Sequence, residues 1–111
     1  MRVISFGHLA TRNITQFGSE GFGIFPMAPG AHVVVATLSP GGTIGRHPAV
    51  VDQCLVLVEG DAEVSGEDGV SHVIRPGAAA LWSAGESHET RTQNGLTALV
   101  VEAQGLATAL D

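Results

Sequence analysis

A chain of 111 residues is expected to form one domain, and 44% hydrophobic against 14% charged residues excludes a disordered chain. The formal net charge is −6; the five cations, Arg2, Arg12, Arg46, Arg75 and Arg91, are scattered and no lysine accompanies them, so a basic surface for nucleic acid is excluded. No apolar run reaches the roughly 18 residues of a membrane-spanning helix. Met1–Phe6 lacks the charged-then-apolar pattern of a secretory signal, so the cytoplasm is the expected location. The single Cys54 has no internal disulfide partner and reads as a small buried hydrophobe.

Residues 1–30 are punctuated by Gly18, Gly21, Gly23, Pro26, Pro29 and Gly30. Phe22, Phe25 and Met27 suggest a short edge strand there, packed on its own or a partner's barrel. His32–Leu38 is a β-branched run and predicts a buried strand. Ser39-Pro40-Gly41-Gly42 reads as a turn. Strands are then expected at Gln53–Val58, Asp61–Ser65, Val70–Arg75, Ala78–Trp82, Ser87–Gln93 and Leu96–Glu102, with Asp68-Gly69 and Asn94-Gly95 as hairpin signals. Leu106–Leu110 has room for one helical turn. About eight strands at this spacing predict an all-β sandwich or barrel, its core over 32–102.

Two glycine-framed segments share a layout. One runs Gly41, five residues, His47-Pro48-Ala49, three residues, Gln53, six residues, Gly60. The other runs Gly77, five residues, Ser83-Ala84-Gly85-Glu86-Ser87-His88, three residues, Thr92.

This pair of segments resembles the two motifs of the cupins, G-x5-H-x-H-x3/4-E-x6-G and G-x5-P-x-G-x2-H-x3-N, over residues 38–102. The resemblance implies a cupin-type double-stranded antiparallel jelly-roll β-barrel. In cupins the two histidines and the glutamate of the first motif, with the histidine of the second, bind one divalent metal. His47 and His88 match the outer two positions, whereas Ala49 stands at the second histidine and Gln53 at the glutamate. The implied metal set is therefore His47, Gln53 and His88. Its only oxygen is a neutral carboxamide, so a divalent transition metal (Zn, Fe, Ni, Cu or Mn) is expected to be held weakly, with open positions. The alternative is that the same side chains hydrogen-bond an organic ligand with no metal.

Strand alternation puts Leu55 and Leu57 on the face of Gln53 as pocket floor, and Thr90 and Thr92 on the face of His88. Ala49 and Trp82 complete the expected lining. Glu63, Glu102 and His32 are candidates to reach the pocket; His72 and His8 are read as exposed, and Glu89–Arg91 as a surface pair. Two functions stay open. One is a metal-dependent enzyme of dioxygenase, isomerase or lyase type acting on a small organic substrate. The other is a non-catalytic, metal-free module that binds a small ligand. A homodimer is expected, because Phe22, Ile24, Phe25 and the outer face of the Cys54–Val58 strand offer more apolar surface than one small barrel covers.

Overall fold

The computed structural model describes residues 10–28 and 32–109, with side chains described over 10–24 and 32–107. The expectations for His8, Pro29, Gly30 and Leu110, and those resting on the side chains of Phe25 and Met27, lie outside the described residues. The elements in chain order are β1 (Arg12–Ile14), a 3-10 turn (Gln16–Gly18), β2 (Glu20–Ala28), β3 (His32–Pro48), β4 (Gln53–Gly60), β5 (Ala62–Ser65), β6 (Ser71–Ile74), β7 (Ala79–Trp82), β8 (Ser87–Arg91), β9 (Leu96–Glu102) and a one-turn helix α1 (Leu106–Ala109).

All the pairings are antiparallel, in the order β6-β5-β8-β3-β9-β4-β7, with β2 added on β3 and β1 on β2. The result is a jelly-roll barrel of two facing sheets. Strand β3 belongs to both. Its first half, His32–Leu38, pairs with β9, and its second half, Thr43–Pro48, pairs with β8. Here the structure departs from the sequence expectation. Ser39–Gly42 is a corner within one continuous strand rather than a turn between elements. Gly41 turns it at φ 78°, in the left-handed region open to glycine. The sequence reading assigns no element to Thr43–Pro48, where Gly45 and Pro48 interrupt the strand pattern. The N-terminal strand packs on its own barrel: Phe22 and Ile24 lie in register with Leu38 and Ala36 of β3 and pack against the core.

The register builds the interior in rows. Ala36 of β3, Ala98 of β9 and Leu57 of β4 form a deep row, each at most 1% exposed. The next row is Val34, Val100 and Leu55. The top row on this sheet is His32, Glu102, Gln53 and Trp82, one residue from each of β3, β9, β4 and β7. On the facing sheet Ile44, Thr90 and Val64 align in one row, with His47 paired to His88 above it. Cys54 is buried outside this central cluster, and burial pushes its thiol pKa up, which fits an inert packing role. No helix among the described residues is long and apolar enough to cross a membrane.

Candidate functional site

A bulge between Ile44 and His47 in β3 sets up the site. It leaves Arg46 on the outside, where the guanidinium donates to Ser65 Oγ at 2.6 Å and to the Gly66 carbonyl at 2.9 Å, pinning the β5–β6 hairpin. It turns His47 inward opposite His88. Their ring centroids lie 4.5 Å apart with the planes tilted by 53°.

Both rings are fixed in the same way. Nδ1 of His47 donates to the Gly45 carbonyl at 2.6 Å, and Nδ1 of His88 donates to the Glu86 carbonyl at 3.1 Å. A carbonyl only accepts, so each bond requires the proton on Nδ1. In the neutral ring, Nε2 is then left as a bare acceptor. Burial, assisted by the neighbouring His47, holds the pKa of His88 below its ordinary value, so this imidazole is neutral at pH 7.

Aromatic rings continue the pair on both sides. Trp82 stacks on His88 at 4.4 Å and 29°, and its Nε1 donates to the Ser65 carbonyl at 3.2 Å, tying β7 to the facing sheet. Phe17 stacks on His47 at 3.8 Å and 7° although it is 51% exposed. Phe17 sits in the 3-10 turn at φ 62°, a left-handed conformation unfavourable for a bulky residue. The turn is held against β3 by Gly45. The Gly45 N–H donates to Ser19 Oγ at 3.1 Å, and any side chain on Gly45 would overlap the Phe17 carbonyl oxygen.

These elements enclose a cavity of about 170 Å³. His47, Gln53, His88, Trp82, Leu55 and Thr90 line it. The remaining expected lining residues do not. Leu57 lies one row below Leu55, in the packed base. Thr92 is also lower: its Oγ1 donates to the Asp61 carbonyl at 2.8 Å and accepts from the Gly95 N–H at 2.9 Å, closing a turn. Ala49 is buried off the cavity, its backbone tied to Glu86 and Gly85. Of the three residues left open, His32 and Glu102 line the cavity, joined by a hydrogen bond from His32 Nδ1 to Glu102 Oε2 at 3.1 Å. Glu63 is exposed and lies in register with Arg91 on the outside of the barrel. His72 is exposed, and Glu89 pairs with Arg91 at 2.7 Å. The sequence reading missed the roof, Ile14, Gln16 and Phe17, whose only local signal is an aromatic residue next to Gly18.

The donor set suits an ion in part. Two imidazoles with free Nε2 atoms face one cavity beside a carboxamide. Yet among the described residues no group of three or more His, Cys, Asp or Glu side chains is gathered as a metal site.

No protein-family model matches the sequence, and no curated protein matches it. Solved structures do. The polyketide cyclase RemF from Streptomyces resistomycificus superposes with a TM-score of 0.78 at 18% identity, over 92% of this chain and 78% of that one. A predicted oxalate decarboxylase from Thermotoga maritima gives 0.74 at 17% identity, over 92% and 100%. The Cnp3 cupin domain of Schizosaccharomyces pombe gives 0.70 at 10% identity, over 96% and 77%. A cyclase, a predicted decarboxylase and a cupin domain thus share this architecture, and what the likeness establishes is the fold: the chain is a cupin-type jelly roll.

Proposed function

We propose that the barrel binds a small organic molecule in the cavity beneath Phe17, with a divalent transition metal held weakly by Nε2 of His47 and His88 and by the Gln53 carboxamide oxygen. The observation that carries this reading is the pair of Nδ1–carbonyl hydrogen bonds. Metal-binding imidazoles are characteristically held by an acceptor on the second nitrogen, which fixes the tautomer and orients the ring. The spacing supports it too. Two imidazoles at right angles on one ion, with bonds of about 2.1 Å, would have centroids about 4.6 Å apart, and at the tetrahedral angle about 5.3 Å; the two rings stand 4.5 Å apart, which fits the right-angled arrangement. A bound ion would supply Lewis-acid polarisation of a substrate oxygen. The chain itself supplies a low-polarity floor of Val34, Leu55 and Val100, and a roof that limits water.

The second reading is a metal-free binding module. The neutral ligand set favours it: no carboxylate joins the two imidazoles to offset the lost hydration of a dication. RemF and the predicted decarboxylase make an enzyme the leading reading under the first proposal, whereas the Cnp3 domain is a precedent for the fold alone.

Calorimetric titration of chelator-treated protein with Zn²⁺, Mn²⁺ and Ni²⁺ separates the two. The metal reading expects weak one-to-one binding that is lost in His88→Ala and weakens at acid pH, because the ion binds only deprotonated imidazole nitrogens. No heat in the parent, or binding undiminished in His88→Ala, overturns it in favour of the metal-free module.

A further inference from the structure

The roof over His47 has the build of a movable part. The 3-10 turn Gln16–Gly18 is the tip of the hairpin between β1 and β2, just past the pairing of Ile14 with Phe22. None of its three residues is buried, and Thr15 gives it no side-chain cap. Buried Ser19 latches it to β3: its N–H donates to the Gln16 carbonyl at 3.1 Å, and its Oγ accepts the Gly45 N–H at 3.1 Å. Beyond the latch, Gly21 at φ 65° and a register shift between Glu20 and Phe22 interrupt the pairing with β3.

Two opposed effects act on Phe17. Its ring lies flat on His47, 3.8 Å away and 7° from parallel, which favours the closed turn. Its backbone stands at φ 62°, which favours any state in which phenylalanine returns to negative φ. The ring is already half-exposed, so leaving His47 uncovers little further apolar surface. A segment with one latch, an unburied body and a strained backbone opens without the rest of the barrel. We infer that Gln16–Gly18 is a gate over the His47 end of the cavity, lifting off β3 at the Ser19–Gly45 latch and releasing the Phe17 backbone to negative φ as it opens. Gln16 lines the cavity and moves with the gate, so opening takes a carboxamide off the wall as well as a ring. At the far end the side chain of His32, bonded to Glu102, is 64% exposed whatever the gate does. The gate controls access to the cavity whose binding role is proposed above, but its motion needs neither ligand nor ion.

The test is native-state hydrogen exchange of the full-length protein with no metal or ligand added, read at the Gly45 amide and at the core amides of Ala36 and Ala98. The Gly45 amide is expected to exchange at least about tenfold faster than the core pair, at a rate that low urea leaves unchanged, the signature of local opening. Phe17→Ala keeps the left-handed backbone and loses the stack, and is expected to raise exchange at Gly45 about fivefold. Phe17→Gly also loses the stack but tolerates positive φ, and is expected to exchange about tenfold more slowly than Phe17→Ala. Modification of His47 by diethyl pyrocarbonate should follow the same order in the three proteins. Circular dichroism of both variants checks the fold. Exchange at Gly45 as slow and as urea-dependent as in the core means a fixed roof and overturns the inference. Equal exchange in Phe17→Ala and Phe17→Gly does so too, because the backbone then stays left-handed when the turn lifts. Modification of His47 that does not track exchange at Gly45 overturns the control of access. The calorimetric metal titration bears only on the binding reading: its failure leaves the gate standing, and a fixed roof leaves metal binding as proposed.

Discussion

Replacing Gln53 by Glu restores the carboxylate that the first motif would carry, and the register fixes what this does. Gln53 lies directly opposite Glu102 on β9. Two carboxylates about 5 Å apart at an effective dielectric of about 20 repel by about 3 kcal/mol. His32, already paired with Glu102, and rotation of both side chains reduce the expected loss to about 1 kcal/mol, or roughly 5 °C in Tm for a chain of this size. Added metal should reverse the sign, because the new carboxylate joins two imidazoles that line the same cavity. If the variant binds Zn²⁺ with a Kd of about 10 μM, then about 1 mM free metal stabilises it by about 2.7 kcal/mol, more than the repulsion removes. The assay is thermal unfolding followed by emission of Trp82, the single tryptophan, with and without Zn²⁺, in the parent, in Gln53→Glu and in Gln53→Glu with His88→Ala. The variant should melt below the parent without metal and above it with metal, and His88→Ala should abolish the gain. Ala49→His should add nothing, because Ala49 is buried off the cavity, and overpacking should cost about 1–3 kcal/mol. If Gln53→Glu lowers Tm and Zn²⁺ raises it no further than in the parent, Gln53 does not converge with His47 and His88, and the proposed ligand set is wrong.

Leu57→Ala should cost about 2–5 kcal/mol in denaturant unfolding yet leave calorimetric metal binding intact, because Leu57 lies below the cavity in the packed base. Because the folded-state pKa of His88 is lowered, the unfolded chain binds the extra proton first. The contribution of this group to metal-free stability is therefore fully present above about pH 6.5 and is lost as the pH falls through the folded-state value, with His88→Gln flattening that part of the profile. Gly45→Ala should displace the Phe17 turn and open the face of His47. The readout is faster modification of His47 by diethyl pyrocarbonate, mapped by mass spectrometry, with Phe17→Ala giving the same increase at less cost to stability. A homodimer is our proposal for the assembly. Phe22 and Ile24 pack against the core, and among the described residues Val50, Val58, Val70, Val73 and Leu81 are the exposed aliphatic side chains such an interface would draw on. A monomeric mass by light scattering at micromolar concentration would refute it.

Much of this site can be read from local spacing, and the unread parts have a common cause. His47, Gln53 and His88 sit at fixed distances from the glycines that frame their strands, so spacing alone marks them as neighbours. Alternation then assigns Leu55 and Leu57 to one face correctly, yet it carries no information on height along the barrel. Leu55 faces the cavity and Leu57 fills the base for that reason. Thr90 and Thr92 divide in the same way. Height is set by register between strands distant in sequence, and it is register that brings His32, Glu102 and Gln53 side by side. Phe17 escapes for a further reason: it reaches His47 through a left-handed backbone that no propensity assigns to phenylalanine.

The long β3 strand has a consequence for how the protein forms. One uninterrupted segment supplies an edge to both sheets, so neither sheet can be completed, or peeled away, without the other. Its partner β9 lies far along the sequence, and Val33 must find Val101 before the larger sheet exists. Contacts this distant in sequence carry a high closure entropy, which predicts slow, all-or-none folding on the millisecond-to-second scale. Glu102 ends β9. A partly folded chain therefore has no partial version of this site; the paired histidines and Glu102 come together in one step.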